Sequence, residues 1–363
     1  MDRFLIAATL VASTSARTLW TDLDNGYTFE QYKAEFEKQY TDAAEHGERA
    51  QRFADELIKI RAHNAAGHPW KMGVNKFTDM SEAEFARFKG LKKMDDGANL
   101  GGAAPSFDHL PVSALPASKD WRDASPSVVT PTKNQGGCGS CWAFSTVETL
   151  ESAVAIATGK LLTLSPQQVV SCAPNPLSCG GTGGCDGSVQ WLGFNYTAGA
   201  GIVTEADYPY TAKTGTCEQP LPGKTVAGNT GFVRLPANNY SALMNAVATV
   251  GPIAISLDAS WRNYESGVYT GACGATIDHA VVLVGYGTEG ANDYYLVRNS
   301  WGESFGEGGY IKLKRNADDS DNCAIDENPS SGTECKPYPK TQKVCGACGI
   351  LSDSSYPTGA FAK

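Results

Sequence analysis

The chain opens on Met1-Asp2-Arg3, a charged start, and then runs through Phe4-Leu5-Ile6-Ala7-Ala8-Thr9-Leu10-Val11-Ala12 before the small residues Thr14, Ser15 and Ala16. A charged head, a short apolar stretch and small residues predict a secretory signal segment over residues 1–16, with cleavage near Ala16; a buried N-terminal helix is the other reading of the same run. Residues 17–95 are rich in charge. Phe29, Tyr32, Phe36 and Tyr40 recur every three or four positions and predict one amphipathic helix with an aromatic face, and Phe53, Leu57 and Ile60 mark a second. Gly, Ala, Ser and Pro dominate residues 95–118, which read as an exposed linker. Beyond it, a helical stretch over 142–158 gives way to Gly-rich loops and short β-type runs at 253–257, 280–284 and 294–297. Helix early and strands late predict an α+β fold, and no internal repeat is visible.

Composition narrows the function classes. At 363 residues and 42% hydrophobic the chain can bury more than one compact core. Its net charge is −9, acidic residues outnumber basic ones on both sides of residue 114, and no basic stripe occurs, so nucleic acid is not an expected partner. No long apolar run follows the N-terminus, so no membrane span is expected. All eleven cysteines lie at or beyond Cys138, which suits an oxidising compartment. An odd number leaves at least one free thiol. Asn195-Tyr196-Thr197 and Asn239-Tyr240-Ser241 are glycosylation sequons, usable in the secretory pathway.

The chemistry centres on Gln135-Gly136-Gly137-Cys138-Gly139-Ser140-Cys141-Trp142. A Gly-rich loop feeding a helix at about Cys141 places that thiol at the positive end of the helix dipole, which favours the thiolate. The Cys141 backbone N–H and the Gln135 amide, six residues upstream, can donate to a developing oxyanion. A base and an orienting group are also needed. Asp278-His279-Ala280-Val281 opens an apolar strand that would hold an imidazole rigidly, and Asn299-Ser300-Trp301-Gly302 follows another. The Asn299 amide can accept from the imidazole and set its tautomer, with Trp301 shielding that bond from water. His46, His63, His68 and His109 read as structural, and Asp318-Asp319 as a solvated pair. Cys345-Gly346-Ala347-Cys348 reads as disulfide framework rather than a redox or zinc site, so no metal or other cofactor is expected.

Taken together these motifs resemble the papain/cathepsin L family of cysteine proteases, whose Cys, His and Asn follow in this order. Tyr208-Pro209-Tyr210, Val284-Gly285-Tyr286-Gly287 and Ser354-Ser355-Tyr356-Pro357 match the family as well. In the first third, Glu45, Arg49, Phe53, Ile60 and Asn64 fall on its interspersed pro-region motif, with Glu56 where the motif has Asn, and 73–79 fits its second motif. The resemblance implies a papain-like domain of two lobes, one helical (119–227) and one β-rich (228–347), behind a small helical pro-domain. That pro-domain would run backwards through the cleft as an intramolecular inhibitor. The implied division is 1–16, 17–114 for pro-domain and linker, and 115–363 for the catalytic domain, which would start near Leu115. Alignment implies the disulfides Cys138–Cys185, Cys172–Cys217 and Cys273–Cys348, leaving Cys141 as the odd thiol. Cys179, Cys323, Cys335 and Cys345 are then free to form two more bridges. The family's substrate cleft falls on Gly187, Ser188, Ser256, Ile277, Asp278, Trp301 and Asp353. Asp353 would lie at the floor of the pocket for the side chain two before the scissile bond, with Ser256 and Ile277 in its walls.

Three departures stand out: residues 316–347 are an insertion, Ser188 replaces a glycine and Phe305 a tryptophan. The implied protein is a monomeric cysteine endopeptidase made as a zymogen. Protein or peptide would be its substrate, and lysosome, vacuole or the extracellular space its destination. A thioester-based transpeptidase or ligase of the same fold and a non-catalytic binding homologue are the alternatives.

Overall fold

The computed structural model describes residues 17–23, 26–90 and 110–363. The expected signal segment, His109 and most of the Gly- and Pro-rich linker lie outside the described residues.

The first helix, α1 (Phe29–Glu35), starts at Thr28, whose side chain forms a reciprocal capping box with Gln31. It is shorter than the aromatic spacing predicts. Glu37 takes a left-handed conformation (φ 52°), which stops the helix, and Tyr40 instead folds back to stack on Phe29 with ring centroids 5.8 Å apart. The aromatic face therefore exists, but a turn builds its far end. Helix α2 (Ala43–Ala65) buries Phe53, Leu57 and Ile60, as their spacing requires. Together with Leu23, Tyr32 and Val74 they form a core of their own.

The chain then leaves this small unit as β1 (Trp70–Met72) and the single turn α3 (Glu82–Phe85). After residue 110 come β2 (Lys119–Asp120), then α4 (Cys141–Thr158), α5 (Pro166–Cys172) and α6 (Gln190–Ala200), which pack around Leu150, Val154, Val169 and Phe194. The β-rich half follows: β3 (Ala227–Gly228), β4 (Gly231–Arg234), helix α7 (Tyr240–Thr249), β5 (Ile253–Leu257), β6 (Tyr264–Tyr269), β7 (His279–Glu289), β8 (Asn292–Arg298) and β9 (Tyr310–Lys314). The chain ends with β10 (Cys323–Asp326), β11 (Gln342–Cys345), β12 (Asp353–Thr358) and β13 (Phe361–Ala362). The main sheet runs β1-β6-β9-β8-β7-β5-β12-β4, with β2 on β7. Its edge strand β1 comes from the N-terminal unit, Trp70 facing Gly267 across the pair. Trp70, Phe77 and Phe85 of that unit share the core of the β-rich half with Trp261, Tyr264 and Trp301. An added edge strand plus shared aromatic burial anchors the N-terminal unit to the rest of the chain.

One further sequence reading needs correction. Asp319 is not solvated: it is fully buried and accepts from the Tyr295 hydroxyl at 2.7 Å and from both the amide and the side chain of Asn316. Only Asp318 stays exposed. Glu56, the departure from the pro-region motif, is buried against the catalytic half, where it accepts from Asn263 at 2.8 Å and pairs with Arg262 at 3.2 Å. Phe305 is fully buried 5.0 Å from the Trp301 ring, so it keeps an aromatic in the cluster. His63 bonds the Trp70 carbonyl and stacks on His68, and His46 edges onto Phe29, all within the N-terminal unit.

Candidate active site

Cys141 is the first residue of α4. The helix lies on β7, where the Ser145 hydroxyl donates to the Val281 carbonyl at 2.7 Å. Ser145 is one turn after Cys141 and Val281 two residues after His279, so this contact sets the thiol opposite the imidazole. The Ala280 amide donates to the Cys141 sulfur at 3.3 Å. Cys141 is the free cysteine, and the other ten pair as Cys138–Cys185, Cys172–Cys217, Cys273–Cys348, Cys179–Cys335 and Cys323–Cys345. Cys345 and Cys348 thus belong to different bridges.

His279 is fully buried, and its Nε2 meets Asn299 Oδ1 at 2.8 Å. The same oxygen accepts from the Ser300 amide, which fixes the side-chain amide with its oxygen towards the ring. Nε2 therefore carries a proton, and Nδ1, buried and without a hydrogen-bond partner among the described residues, keeps its lone pair. The Trp301 ring stacks on the imidazole at 4.8 Å. Gln135 is held from three sides: Ser300 Oγ donates to its Oε1 at 2.6 Å, the Tyr210 hydroxyl donates to its carbonyl, and its amide donates to the Ser300 carbonyl. Ser300 and Tyr210 carry no chemistry of their own, and sequence reasoning passed over them although both sit in the motifs it quoted.

Residues 88–90 occupy this site. The Phe88 carbonyl accepts from Gln135 Nε2 at 3.0 Å and from the Trp301 indole at 3.1 Å. Lys89 pairs with Asp278 at 2.8 Å, and the Gly90 amide donates to the Cys141 sulfur at 3.2 Å. A Cβ on Gly90 would stand 2.5 Å from that sulfur, so only glycine fits there. A Cβ on Gly187 (φ +89°) would stand closer still to the Gly90 carbonyl. With water excluded, burial pushes the Cys141 thiol up to about 12 and the His279 imidazole down to about 3; both groups are neutral while the segment is docked. Burial also pushes Asp278 up to about 6, against the pull of Lys89.

The remaining sequence candidates cluster beside this centre. Ser256 and Asp353 face each other across β5 and β12. Asp353 Oδ2 accepts from Ser256 at 3.0 Å and from Gln190 at 2.8 Å, while Oδ1 lies 3.5 Å from Arg234. Asp353 neither points to solvent nor bonds Ser354. Ile277 and Ser188 are buried in the adjoining walls. Asn195 is exposed on α6, whereas Asn239 caps α7 through the Ala242 amide. Among the described residues no cluster is arranged to hold a metal ion, and no helix is long and apolar enough to cross a membrane.

The family model described as papain family cysteine protease matches residues 115–333, and that of the cathepsin propeptide inhibitor domain (I29) matches residues 29–85. Cysteine protease 1 of Oryza sativa subsp. japonica is 41% identical over 86% of the chain, and oryzain beta chain of the same plant 38% over 88%. The chain spans only 59% and 63% of the length of these two relatives. Senescence-specific cysteine protease SAG39, from the same plant, is 33% identical with 96% of this chain and 94% of that protein aligned. Among solved structures, a recombinant stem bromelain precursor superposes with a TM-score of 0.72 at 35% identity, covering 91% of this chain and 97% of that one. Digestive procathepsin L 3 of Tenebrio molitor larval midgut superposes at 0.71, with 30% identity and coverage of 94% and 100%. The chain belongs to the papain family of cysteine proteases, with a cathepsin-type propeptide domain ahead of its catalytic domain.

Proposed function

We propose that the protein is a cysteine endopeptidase made as a zymogen, with Cys141 as nucleophile and His279 as its acid–base partner. The observation that carries this is the pairing of a helix-N-terminal thiol with an imidazole whose other nitrogen is tied to Asn299. Once residues 88–90 leave, solvent re-enters and the proton passes from the thiol to His279 Nδ1. The thiolate then bonds to the peptide carbonyl carbon. The oxyanion so formed accepts from the Cys141 N–H and from Gln135 Nε2, the donor that Phe88 now holds. Imidazolium gives its proton to the leaving amine as the C–N bond breaks, leaving a thioester. Neutral His279 next takes a proton from water, which attacks the thioester and releases the acid and the thiol.

Residues 17–90 act as the intramolecular inhibitor, and cleavage in the following linker yields a monomeric enzyme starting near Leu115. Gly187, Ser188, Ser256, Ile277, Asp278, Trp301 and Asp353 line the path of the peptide substrate. Five disulfides support passage through the secretory pathway, to a lysosome or vacuole or to the outside of the cell. The test treats acid-processed protein with an epoxysuccinyl peptide. One adduct on the peptide containing Cys141-Trp142, with loss of peptide hydrolysis, is expected; adduct on another cysteine with activity intact refutes the assignment.

A further inference from the structure

Two segments meet across the cleft on the side of Ser188, Ser256 and Ile277. One is the loop between Cys172 and Cys185, which carries Cys179. The other is the insertion 316–347, folded as the hairpin β10–β11 and closed at its base by Cys323–Cys345. The tip of the hairpin is joined to the loop by Cys179–Cys335. Backbone and side chains run alongside one another there: the Gly180 amide donates to the Glu334 carbonyl at 3.2 Å, the Lys336 amide to the Leu177 carbonyl at 3.0 Å, and the Tyr338 hydroxyl to the Ser178 carbonyl at 2.6 Å.

The opposite flank of the hairpin tip touches the other lobe. Gly332 is buried so close to Ile277 that an added Cβ would stand 3.0 Å from the Ile277 carbonyl. Ile277 also packs with Cys335 and Val344 of the insertion and with Val189 of the helical lobe. Between the contact at Gly332 and the bond at Glu334 the chain advances two residues, roughly 7 Å when extended. In that span it passes from the β-rich lobe to the helical one. The helical-lobe anchor sits close to the reacting centre, because the Gly180 carbonyl and the Gly90 carbonyl both press on Gly187. Below lies the network of Asp353, Gln190 and Ser256, with the Glu334 carboxylate electrostatically coupled to Asp353 and Arg234.

We propose that residues 332–336 form a covalently anchored bar that ends the substrate channel on the side receiving residues N-terminal to the scissile bond. Gly180, which bonds the bar at Glu334, presses on the same Gly187 as the Gly90 carbonyl beside Cys141, so the bar leaves room for only a few such residues. The proposal rests on Cys141 and His279 being the catalytic pair. Peptides cut close to their N-terminus are then better substrates than those that extend further, and Cys179 and Cys335 are specificity-determining positions.

The experiment uses activated protein, its active sites first counted with the epoxysuccinyl peptide. Quenched peptides share one scissile sequence but carry two, three, four or six residues before the cut. For the natural chain kcat/KM falls at least tenfold from two residues to four. Replacing residues 327–341 by a short turn, together with Cys179→Ser, removes that fall while the two-residue substrate stays within threefold. Should the excised chain not fold, Cys179→Ser with Cys335→Ser takes its place, unfastens the bar from the helical lobe and raises the four-residue rate at least threefold relative to the two-residue one. A flat or rising series in the natural chain overturns the proposal, as does a fall that persists without the bar or an unfastened protein with an unchanged ratio. Absence of any adduct at Cys141 overturns the catalytic reading instead, and is seen before the series is run.

Discussion

The backbone amide of Gly90 donates to the Cys141 sulfur at 3.2 Å, from the side opposite the polypeptide that carries the thiol. Gly90 thus covers the thiol, and burial pushes it up to about 12. At pH 7.5 such a thiol is almost wholly protonated, and the thiolate is the species that alkylates. Iodoacetamide should therefore modify Cys141 at least about 100-fold more slowly in the full-length protein than after removal of residues 17–114. Rates followed by mass spectrometry of the Cys141 peptide check this; equal rates would show that the segment does not seal the site in solution.

Acid release of the pro-region is expected to start at Glu84. Its two oxygens accept from Arg49 at 2.5 and 2.8 Å, Arg52 lies 3.7 Å away, and Ser81 donates to it as well. The Arg49 hydrogen bonds lower Glu84 from 4.5 to about 2. A carboxylate lowered on folding stabilises the folded form fully above its ordinary value and loses that contribution as pH falls through the folded one. The pro-region should thus weaken progressively below about pH 4.5. Asp278 runs the other way: raised from 3.8 to about 6, it binds its proton more readily in the docked form, so titration there opposes release. Tryptophan fluorescence of the Cys141→Ala protein between pH 6 and 3 should show the loss, and Glu84→Gln should lower stability at pH 6 and flatten the slope. A slope unchanged by Glu84→Gln would sink this assignment.

Glu56→Ala should loosen inhibition without touching the catalytic groups. The substitution takes the carboxylate away from Asn263 and from Arg262 across the interface, leaving Arg262 paired with Glu82 at 2.9 Å. A hydrogen bond to a charged group is worth about 1.5–3 kcal/mol, so the isolated pro-region should bind the mature enzyme about 10- to 100-fold more weakly. Inhibition constants measured for the two pro-regions settle it, and a change under threefold would mean that Lys59, 2.6 Å from Glu56, already neutralises the pair.

Asp353 is engaged, and Arg234 is the group that competes with a substrate arginine for it. Removing the guanidinium in Arg234→Ala should raise the ratio of cleavage of substrates with Arg to cleavage of those with Leu at the position two before the scissile bond. Asp353→Ala should lower that ratio. Paired fluorogenic substrates give both numbers, and a ratio that neither change moves takes Asp353 out of the pocket.

The reactive groups were legible because each lies in a short stretch whose local geometry its own residues dictate. Gly137 and Gly139 lead into the helix that starts at Cys141, and an apolar run holds His279 at the start of β7. The end of α1 was not legible, since periodicity alone cannot show Glu37 turning left-handed and returning Tyr40 to Phe29. Nor was the burial of Asp319, whose partner Tyr295 is 24 residues away.

Sequence by itself determined which side chains are candidates for the chemistry, that at least one thiol stays unpaired, and that a helical unit precedes a mixed one, since residue type, parity and periodicity are properties of the chain. Tertiary structure decided the rest. It set the ionisation of Cys141 and His279, because burial beneath Phe88, Lys89 and Gly90 depends on a segment about 50 and 190 residues away in sequence, brought near only by folding. It also chose Cys179–Cys335 over the other pairings open to those four cysteines, because a disulfide needs two Cα atoms within about 7 Å. These two stand 3.9 Å apart across the lobes, 156 residues apart in the chain.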